Sequence, residues 1–201
     1  FCFARNISGI VIITIFSQAP FLIMRPINVL TVNGESENGR DLIKIVEEAK
    51  SHFPTETWDA IRYLGKLDLE YDVQIATGGD SLGGFLFETL TKRIVRIKDQ
   101  RTSLDLLLGI TPDPILAIYC FFDGKSFKRS VYIVHDYVTE KIGIVSLFRV
   151  KEAYSSKVVA HGLGHSRGLR HHLEPVDLMY SELLKTATLQ VEGFCKDCLH
   201  K

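Results

Sequence analysis

Histidine residues concentrate in one short stretch of this 201-residue sequence, where His161, His165, His171 and His172 lie within twelve positions. On a helix, His161 and His165 would project from one face, because residues four apart are neighbours there. Gly168 lies where the helix could end in a left-handed conformation, so the chain could turn and bring His171 toward the same point. Three neutral imidazoles leave the fourth position of a tetrahedral zinc ion open for water, as in catalytic zinc sites.

The same histidines also allow a simpler interpretation, in which they form a solvated polar helix face or an adventitious metal-binding tract. The order of the residues is more demanding than either explanation needs: histidine, three residues, histidine, two residues, glycine, two residues, histidine. The sequence therefore favours a metal site formed by His161, His165 and His171.

Composition excludes several classes of protein. Apolar residues make up 46% of the chain and charged residues 24%, which is typical of a globular protein. The 24 basic residues equal the 24 acidic ones, and the basic clusters at 92–93 and 167–170 are small. We therefore expect no nucleic-acid partner and no stable membrane association.

Four cysteines are too few for a disulfide scaffold at this length. Cys2 and Cys120 are interpreted as unpaired, with Cys120 in the core. Together with the zero net charge, this cysteine content predicts a cytoplasmic protein.

The first 23 residues differ from the rest of the chain. Arg5 precedes an apolar run at 10–16 and small residues end the segment at Ala19, a weak signal-peptide pattern. The run is short for a membrane span. Because the sequence does not begin with methionine and a strand-like stretch follows Met24, an upstream extension is the favoured interpretation over a signal, an anchor or a structured part. The predicted organisation is an extension at 1–23 and one domain at 24–201.

The remaining patterns alternate between strand and helix. The Asp123-Gly124 pair is a turn signal and predicts a hairpin over 115–137. Runs rich in β-branched residues or with alternating polarity predict strands at 27–32, 70–76, 115–122, 130–134 and 141–148. Amphipathic periodicity predicts helices at 41–52 and from 81 to about 98, and a third helix runs from 155 or 156 to about 169. We expect an α/β fold with a mixed sheet and helices packed on it.

From about residue 140 to the end, the chain resembles the archaemetzincins, a zinc metallopeptidase family of the metzincin clan. The histidine pattern, the strand at 143–149 that precedes it, Met179 and the terminal Cys-x-x-Cys carry this resemblance. It implies a metzincin-like twisted mixed sheet of the α/β (α+β) class, an active-site helix and a small zinc-stabilised C-terminal subdomain. Met179 corresponds to the methionine of the family's Met-turn, which packs beneath the metal.

The resemblance also implies a function. Zinc-activated water would hydrolyse the peptide bonds of a peptide or small protein that lies along a sheet edge, for which residues 129–137 are candidates. The alternative is a non-catalytic pseudo-peptidase that acts as a peptide-binding or interaction module.

A second, structural zinc site is implied by the same family, which holds that metal with four cysteines. The corresponding positions are His172, Asp177, Cys195 and Cys198, of which the first two depart from cysteine yet remain legitimate zinc ligands. His200 is a competing ligand, and a free dithiol or a redox pair is the alternative for Cys195 and Cys198. The resemblance thus predicts two zinc ions per chain.

Gly162 is the most consequential departure from the family. A general-base glutamate follows the first histidine there, and losing such a base typically costs about 10²–10⁴-fold in rate. Several explanations fit: an inactive zinc protein, a substitute carboxylate such as Glu174 or Glu152, a slow reaction without a base, or a glycine introduced into an active parent. No catalytic residue is assigned from the sequence.

Overall fold

The computed structural model describes residues 6–7, 10–11, 25–34, 40–55, 57–77, 80–101, 106–181, 183 and 191–200. The strands are β1 (Asn6–Ile7), β2 (Ile10–Val11), β3 (Arg25–Val32), β4 (Trp58–Leu67), β5 (Val73–Thr77), β6 (Asp80–Leu86), β7 (Leu106–Thr111), β8 (Ile115–Phe122), β9 (Phe127–Val134), β10 (Asp136–Val138) and β11 (Ile142–Ser146). The helices are α1 (Arg40–Lys50), α2 (Phe87–Gln100), α3 (Glu152–Ser166) and α4 (Lys196–Leu199). The expected domain start at Met24 and the interpretation of Cys2 fall outside these residues.

A five-stranded sheet forms the centre of the molecule, in the order β10-β11-β7-β3-β4. β10 runs antiparallel to β11, and the other neighbours are parallel. Every residue of β7 is buried, as expected for a central strand covered on both faces. β10 and β4 therefore form the two edges of this sheet.

Helices cover both faces of the central sheet. On one face, Leu42 and Val46 of α1 pack with Val158 and Leu163 of α3 in the larger core cluster. On the other face, the α2 side chains pack in a second cluster with alternate residues of β3. This arrangement is the mixed α/β fold that the sequence predicts. None of the helices in the described part of the chain is long and apolar enough to span a membrane.

A second sheet has the order β5-β6-β8-β9 and ends in the predicted hairpin. At its turn, the Asp123 carboxylate accepts hydrogen bonds from the backbone N–H groups of Lys125 and Ser126. The core location predicted for Cys120 is wrong, since this residue is exposed. β8 is buried only at its start, and its second half, which belongs to the hairpin, is exposed.

The helix predicted from residue 81 begins later, at Phe87, and residues 80–86 form β6. The apolar positions of this stretch fit either structure, but its glycine pair fits the strand. A Cβ atom on Gly83 would lie 2.0 Å from the Tyr71 ring, and Gly84 pairs with Val73 of β5. α3 also differs from its prediction, because it begins and ends about three residues earlier.

Candidate metal centre

α3 positions the first two histidines. Its apolar residues Val158 and Leu163 are buried in the core, which fixes the rotation of the helix against the sheet. Gly168 adopts a φ of 80° and its N–H donates to the carbonyl of His165, so the helix ends there and the chain reverses. The reversal brings His171 back to the helix.

The structure brings His161, His165 and His171 together as one group, named here the three-histidine cluster. The Nε2 atom of His171 lies 3.1 Å from the Nε2 atom of His165 and 3.1 Å from that of His161. His161 is only 3% exposed, whereas His171 is exposed. The cluster is therefore closed on the helix side and open to solvent at His171.

Backbone carbonyls fix the orientation of two of these rings. The Nδ1 atom of His161 lies 2.5 Å from the Leu178 oxygen, and that of His165 lies 3.1 Å from the Leu169 oxygen. Because a carbonyl oxygen only accepts, both Nδ1 atoms donate, and in the neutral rings both Nε2 atoms carry lone pairs. One Nε2 proton on His171 can serve only one of them. A metal ion would satisfy all three nitrogens, so these residues fit such a ligand.

Electrostatics favour the form that binds metal. Burial lowers the pKa of His161, His165 and His171 below the ordinary value for histidine. The neighbouring His161 lowers the pKa of the other two further. The lowered pKa values favour neutral imidazoles, which are the form of histidine that binds a metal ion.

Asp136 is the acidic residue beside this cluster, and the sequence analysis does not identify it. Its Oδ2 atom lies 3.8 Å from the Nε2 atom of His161, and its side chain is 9% exposed. Burial raises the pKa of Asp136 to about 6, against the opposing influence of His165 and His135. The sequence signal that could find it is strand alternation. In the strand Asp136–Val138, residues 136 and 138 lie on the same face, so an inward-facing valine at 138 puts an aspartate on the inner face, where this residue type is unusual.

A second group, named here the C-terminal cluster, consists of His172, Asp177, Cys195 and Cys198. The Nε2 atom of His172 lies 3.1 Å from Oδ1 of Asp177, 3.8 Å from Sγ of Cys195 and 3.6 Å from Sγ of Cys198. One ligand atom from each residue lies within 4.8 Å of all the others. Two thiolates, an imidazole and a carboxylate are a donor set that suits zinc. His200 does not belong to this group.

Backbone pairing holds the C-terminal cluster together. Asp177 is buried, and its carboxylate accepts hydrogen bonds from the N–H groups of Met179 and Cys195. The N–H of Leu178 donates to the carbonyl of Gly193 at 2.9 Å. These contacts attach the last described segment, 191–200, to the loop after α3.

Comparison with known proteins bears on the fold. No family model and no curated protein matches this sequence. Among solved structures, the archaemetzincin of Methanopyrus kandleri superposes with a TM-score of 0.56 at 15% identity, covering 88% of this chain and 92% of that one. The chain has an archaemetzincin-like fold. Metalloproteinase-II of Bacteroides fragilis gives a TM-score of 0.50 at 12% identity, covering 90% of this chain and 53% of the other.

In this archaemetzincin-like fold, Met179 lies between the two clusters. It is fully buried, and a Cβ atom on Gly164 of α3 would lie 2.6 Å from its Sδ atom. Its carbonyl accepts from the N–H of His172 at 3.0 Å, and the preceding Leu178 accepts from His161. Met179 thus packs under α3 while its neighbours contact both groups of ligands.

The two carboxylates considered as substitutes lie elsewhere. Glu152 is the first residue of α3, nine residues before His161, which is about 13 Å along a helix. Glu174 is exposed, and its backbone N–H donates to Nδ1 of His172 in the C-terminal cluster.

Proposed function

We propose that this protein is a zinc-dependent peptidase in which His161, His165 and His171 hold the zinc ion. The observation that carries the proposal is the convergence of three Nε2 atoms, with separations of 3.1 Å from His171 to each of the others. Zinc at this position would lower the pKa of a bound water and polarise a carbonyl group.

The protein itself would orient the substrate. β10 pairs with β11 on one side and is the edge of the central sheet on the other. It also packs against α3, since a Cβ atom on Gly162 would lie 2.8 Å from Val138. An extended peptide could pair with β10 through main-chain hydrogen bonds and place an amide beside the open side of the three-histidine cluster. β9, the other part of the expected region 129–137, is likewise an edge strand.

The C-terminal cluster would hold a second zinc ion with a structural role, which gives two zinc ions per chain. Its four donors leave no open position, the usual state of a structural site. We also place the protein in the cytoplasm, where cysteine ligands stay reduced.

Gly162 favours a second candidate function, a non-catalytic peptide-binding module. Its position corresponds to the general-base glutamate of the family that the sequence resembles, and glycine neither accepts nor returns a proton. Both candidates bind zinc and peptide, and only the first turns substrate over.

Metal analysis and a peptide-cleavage assay test these candidates together. We expect about two zinc ions per chain, and cleavage of a mixed peptide library that stops with a chelator and resumes with added zinc. A protein with bound zinc that binds peptides without cleaving them would support the module. Fewer than one metal ion per chain would contradict both.

A further inference from the structure

The space beside Gly162 is already filled by β10. A Cβ atom on Gly162 would lie 2.8 Å from Cγ2 of Val138 and 3.5 Å from Oδ2 of Asp136. The first distance is shorter than real Cβ contacts, so a larger residue at 162 would require Val138 to move. The Val138 side chain therefore fills the place next to the helix that a side chain at 162 would take, and the Asp136 carboxylate lies in contact with the same place.

Strand geometry directs Asp136 toward the histidines. Side chains alternate along β10, so Asp136 and Val138 face α3 and the intervening Tyr137 faces the other way, where it packs on Phe87. The Asp136 side chain is 9% exposed, and its Oδ2 atom is buried without a hydrogen-bond partner among the described residues. Buried polar atoms are almost always hydrogen-bonded, so this oxygen calls for a functional explanation.

Building on the proposed function, we propose that Asp136 is the catalytic base of this protein and supplies the carboxylate that position 162 lacks. One water molecule adds across the peptide bond. The Asp136 carboxylate takes a proton from the water as the water oxygen bonds to the amide carbon. Asp136 then returns that proton to the amide nitrogen as the C–N bond breaks, which yields one carboxylic acid and one amine.

The position of Asp136 fits a base better than a metal ligand. Its Oδ2 atom lies 3.8 Å from Nε2 of His161, the nearest contact between this carboxylate and the cluster. Asp136 is also not part of the group whose ligand atoms all lie within 4.8 Å of one another. The Asp136 carboxylate therefore lies beside His161 and outside the set of three metal-binding nitrogens.

The test compares Asp136→Asn with Asp59→Asn in the full-length zinc protein. Asp59 is an exposed aspartate on β4, the opposite edge of the same sheet, and serves as the matched control. We expect Asp136→Asn to lower kcat by about 10²–10⁴-fold with little change in KM, and Asp59→Asn to retain full activity. Zinc affinity, measured by competition with a chelating dye, should change by less than about threefold in both variants. Loss of a group that hydrogen-bonds a metal ligand would instead lower it by about tenfold or more.

A second measurement does not depend on turnover. A peptide hydroxamic acid chelates zinc, and its O–H and N–H groups can donate hydrogen bonds to a nearby carboxylate. We expect Asp136→Asn and Asp136→Ser to weaken binding of the hydroxamic acid by about tenfold or more, because one charge-assisted hydrogen bond typically contributes that much to affinity. Calorimetry would measure this in zinc-loaded protein, with Asp59→Asn unchanged.

The outcomes separate the two proposals. If the unmodified protein cleaves peptides and Asp136→Asn cleaves them equally fast, the peptidase function stands and the role of Asp136 is wrong. If Asp136→Asn loses zinc from the three-histidine cluster, Asp136 is a ligand and not the base. If the zinc-loaded unmodified protein cleaves nothing, the peptidase function itself fails, and the catalytic role of Asp136 fails with it.

Discussion

The three-histidine cluster ends at His171 and the C-terminal cluster begins at the next residue, His172, yet their architectures differ. The three-histidine cluster takes its ligands from one helix and the turn after it, within 11 residues. The C-terminal cluster spans 27 residues and joins two chain segments through backbone pairing. The first has three donors and an exposed side at His171, and the second has four donors and a buried Asp177. An open site suits chemistry, and a complete one suits stability.

Ring orientation gives a second difference between the clusters. In the three-histidine cluster, the Nδ1 atoms of His161 and His165 donate to carbonyls, so their Nε2 atoms are ready for a metal. In the C-terminal cluster, Nδ1 of His172 accepts from the N–H of Glu174 at 3.3 Å. In the neutral ring the proton is then on Nε2, which donates to Asp177. A metal ion that binds Nε2 of His172 must therefore displace the proton on that atom. In the three-histidine cluster, the Nε2 atoms of His161 and His165 carry no proton in the neutral rings.

A substitution in the three-histidine cluster alone should give the largest effect, a loss of catalysis. His165→Ala should release one zinc ion and lower peptide cleavage by at least about 10³-fold, because a Lewis acid contributes several kcal/mol to the transition state. His52→Ala, on the turn after α1 and outside both clusters, is the matched control and should remain active. Zinc content and cleavage rates would be measured on the same samples. Full activity with one zinc ion lost would place the chemistry elsewhere.

The C-terminal cluster should instead govern stability. Cys198→Ala should release the other zinc ion and lower the free energy of unfolding by about 4 kcal/mol, if free zinc is held at about a thousand times its Kd. The attachment of 191–200 would weaken, so limited proteolysis should cut this segment first. Cys120→Ala, an exposed cysteine on β8, should change stability by no more than about 0.5 kcal/mol. Unfolding curves identical for the two variants would contradict a structural metal at this cluster.

Local patterns were sufficient for much of the fold. The apolar run of β8 and the Asp-Gly turn give the hairpin because strand and turn signals are local. The helix start at Phe87 could not be read this way, since apolar residues at 82, 85 and 86 fit both periods. β4 and β7 have no counterpart among the sequence-based predictions. The pairing of β7 with β3 and β11 determines its burial, and pairing partners are not visible in one segment.

The candidate site shows the same limit. His161, His165 and His171 share one helix and its turn, so their spacing alone suggests that they meet. Asp136 comes from a strand whose contact with α3 arises only in the folded sheet. Cys120 illustrates the opposite error, because its apolar run predicts a core strand although the second half of that strand is exposed.

Gly164 tests the packing that both clusters share. Its absent Cβ would lie 2.6 Å from Sδ of Met179 and 3.2 Å from the Phe194 ring. Gly164→Ala should therefore lower the free energy of unfolding by about 1–3 kcal/mol from overpacking, less about 1 kcal/mol of helix propensity gained. It should also weaken zinc binding at both clusters.

Gly168→Ala provides the contrast for that substitution. In the described part of the chain, no atom beyond its chain neighbours lies within 4 Å of its Cβ position, and an alanine at its φ of 80° is strained by about 1–2 kcal/mol. Zinc titrations should show that Gly168→Ala affects only the three-histidine cluster, through His171. If Gly164→Ala weakens one cluster only, Met179 does not couple them.

The smallest effect is the pH dependence of the metal-free protein. Burial holds the pKa of His161 and His165 below the ordinary value of about 6.5, which the unfolded chain retains. Below about pH 6.5 the unfolded state therefore binds more protons, so the stability that is complete above this pH is lost as the pH falls. Asp136 has the opposite sign, because its pKa is raised to about 6 in the folded state, and its protonation there stabilises the fold as the pH falls through 6.

Denaturant unfolding in the presence of a chelator, at a series of pH values between about 7.5 and 5, would measure the sum of these contributions. Asp136→Asn removes the opposing one, so its stability should decline more steeply with acid than that of the unmodified protein. His165→Gln should flatten the decline, since one of the depressed histidines is gone. Cys198→Ala should leave the slope unchanged in the absence of metal, because no histidine of the three-histidine cluster is altered. An equal slope in Asp136→Asn and the unmodified protein would show that the fold does not raise the pKa of Asp136, and the pH response would then belong to the imidazoles alone.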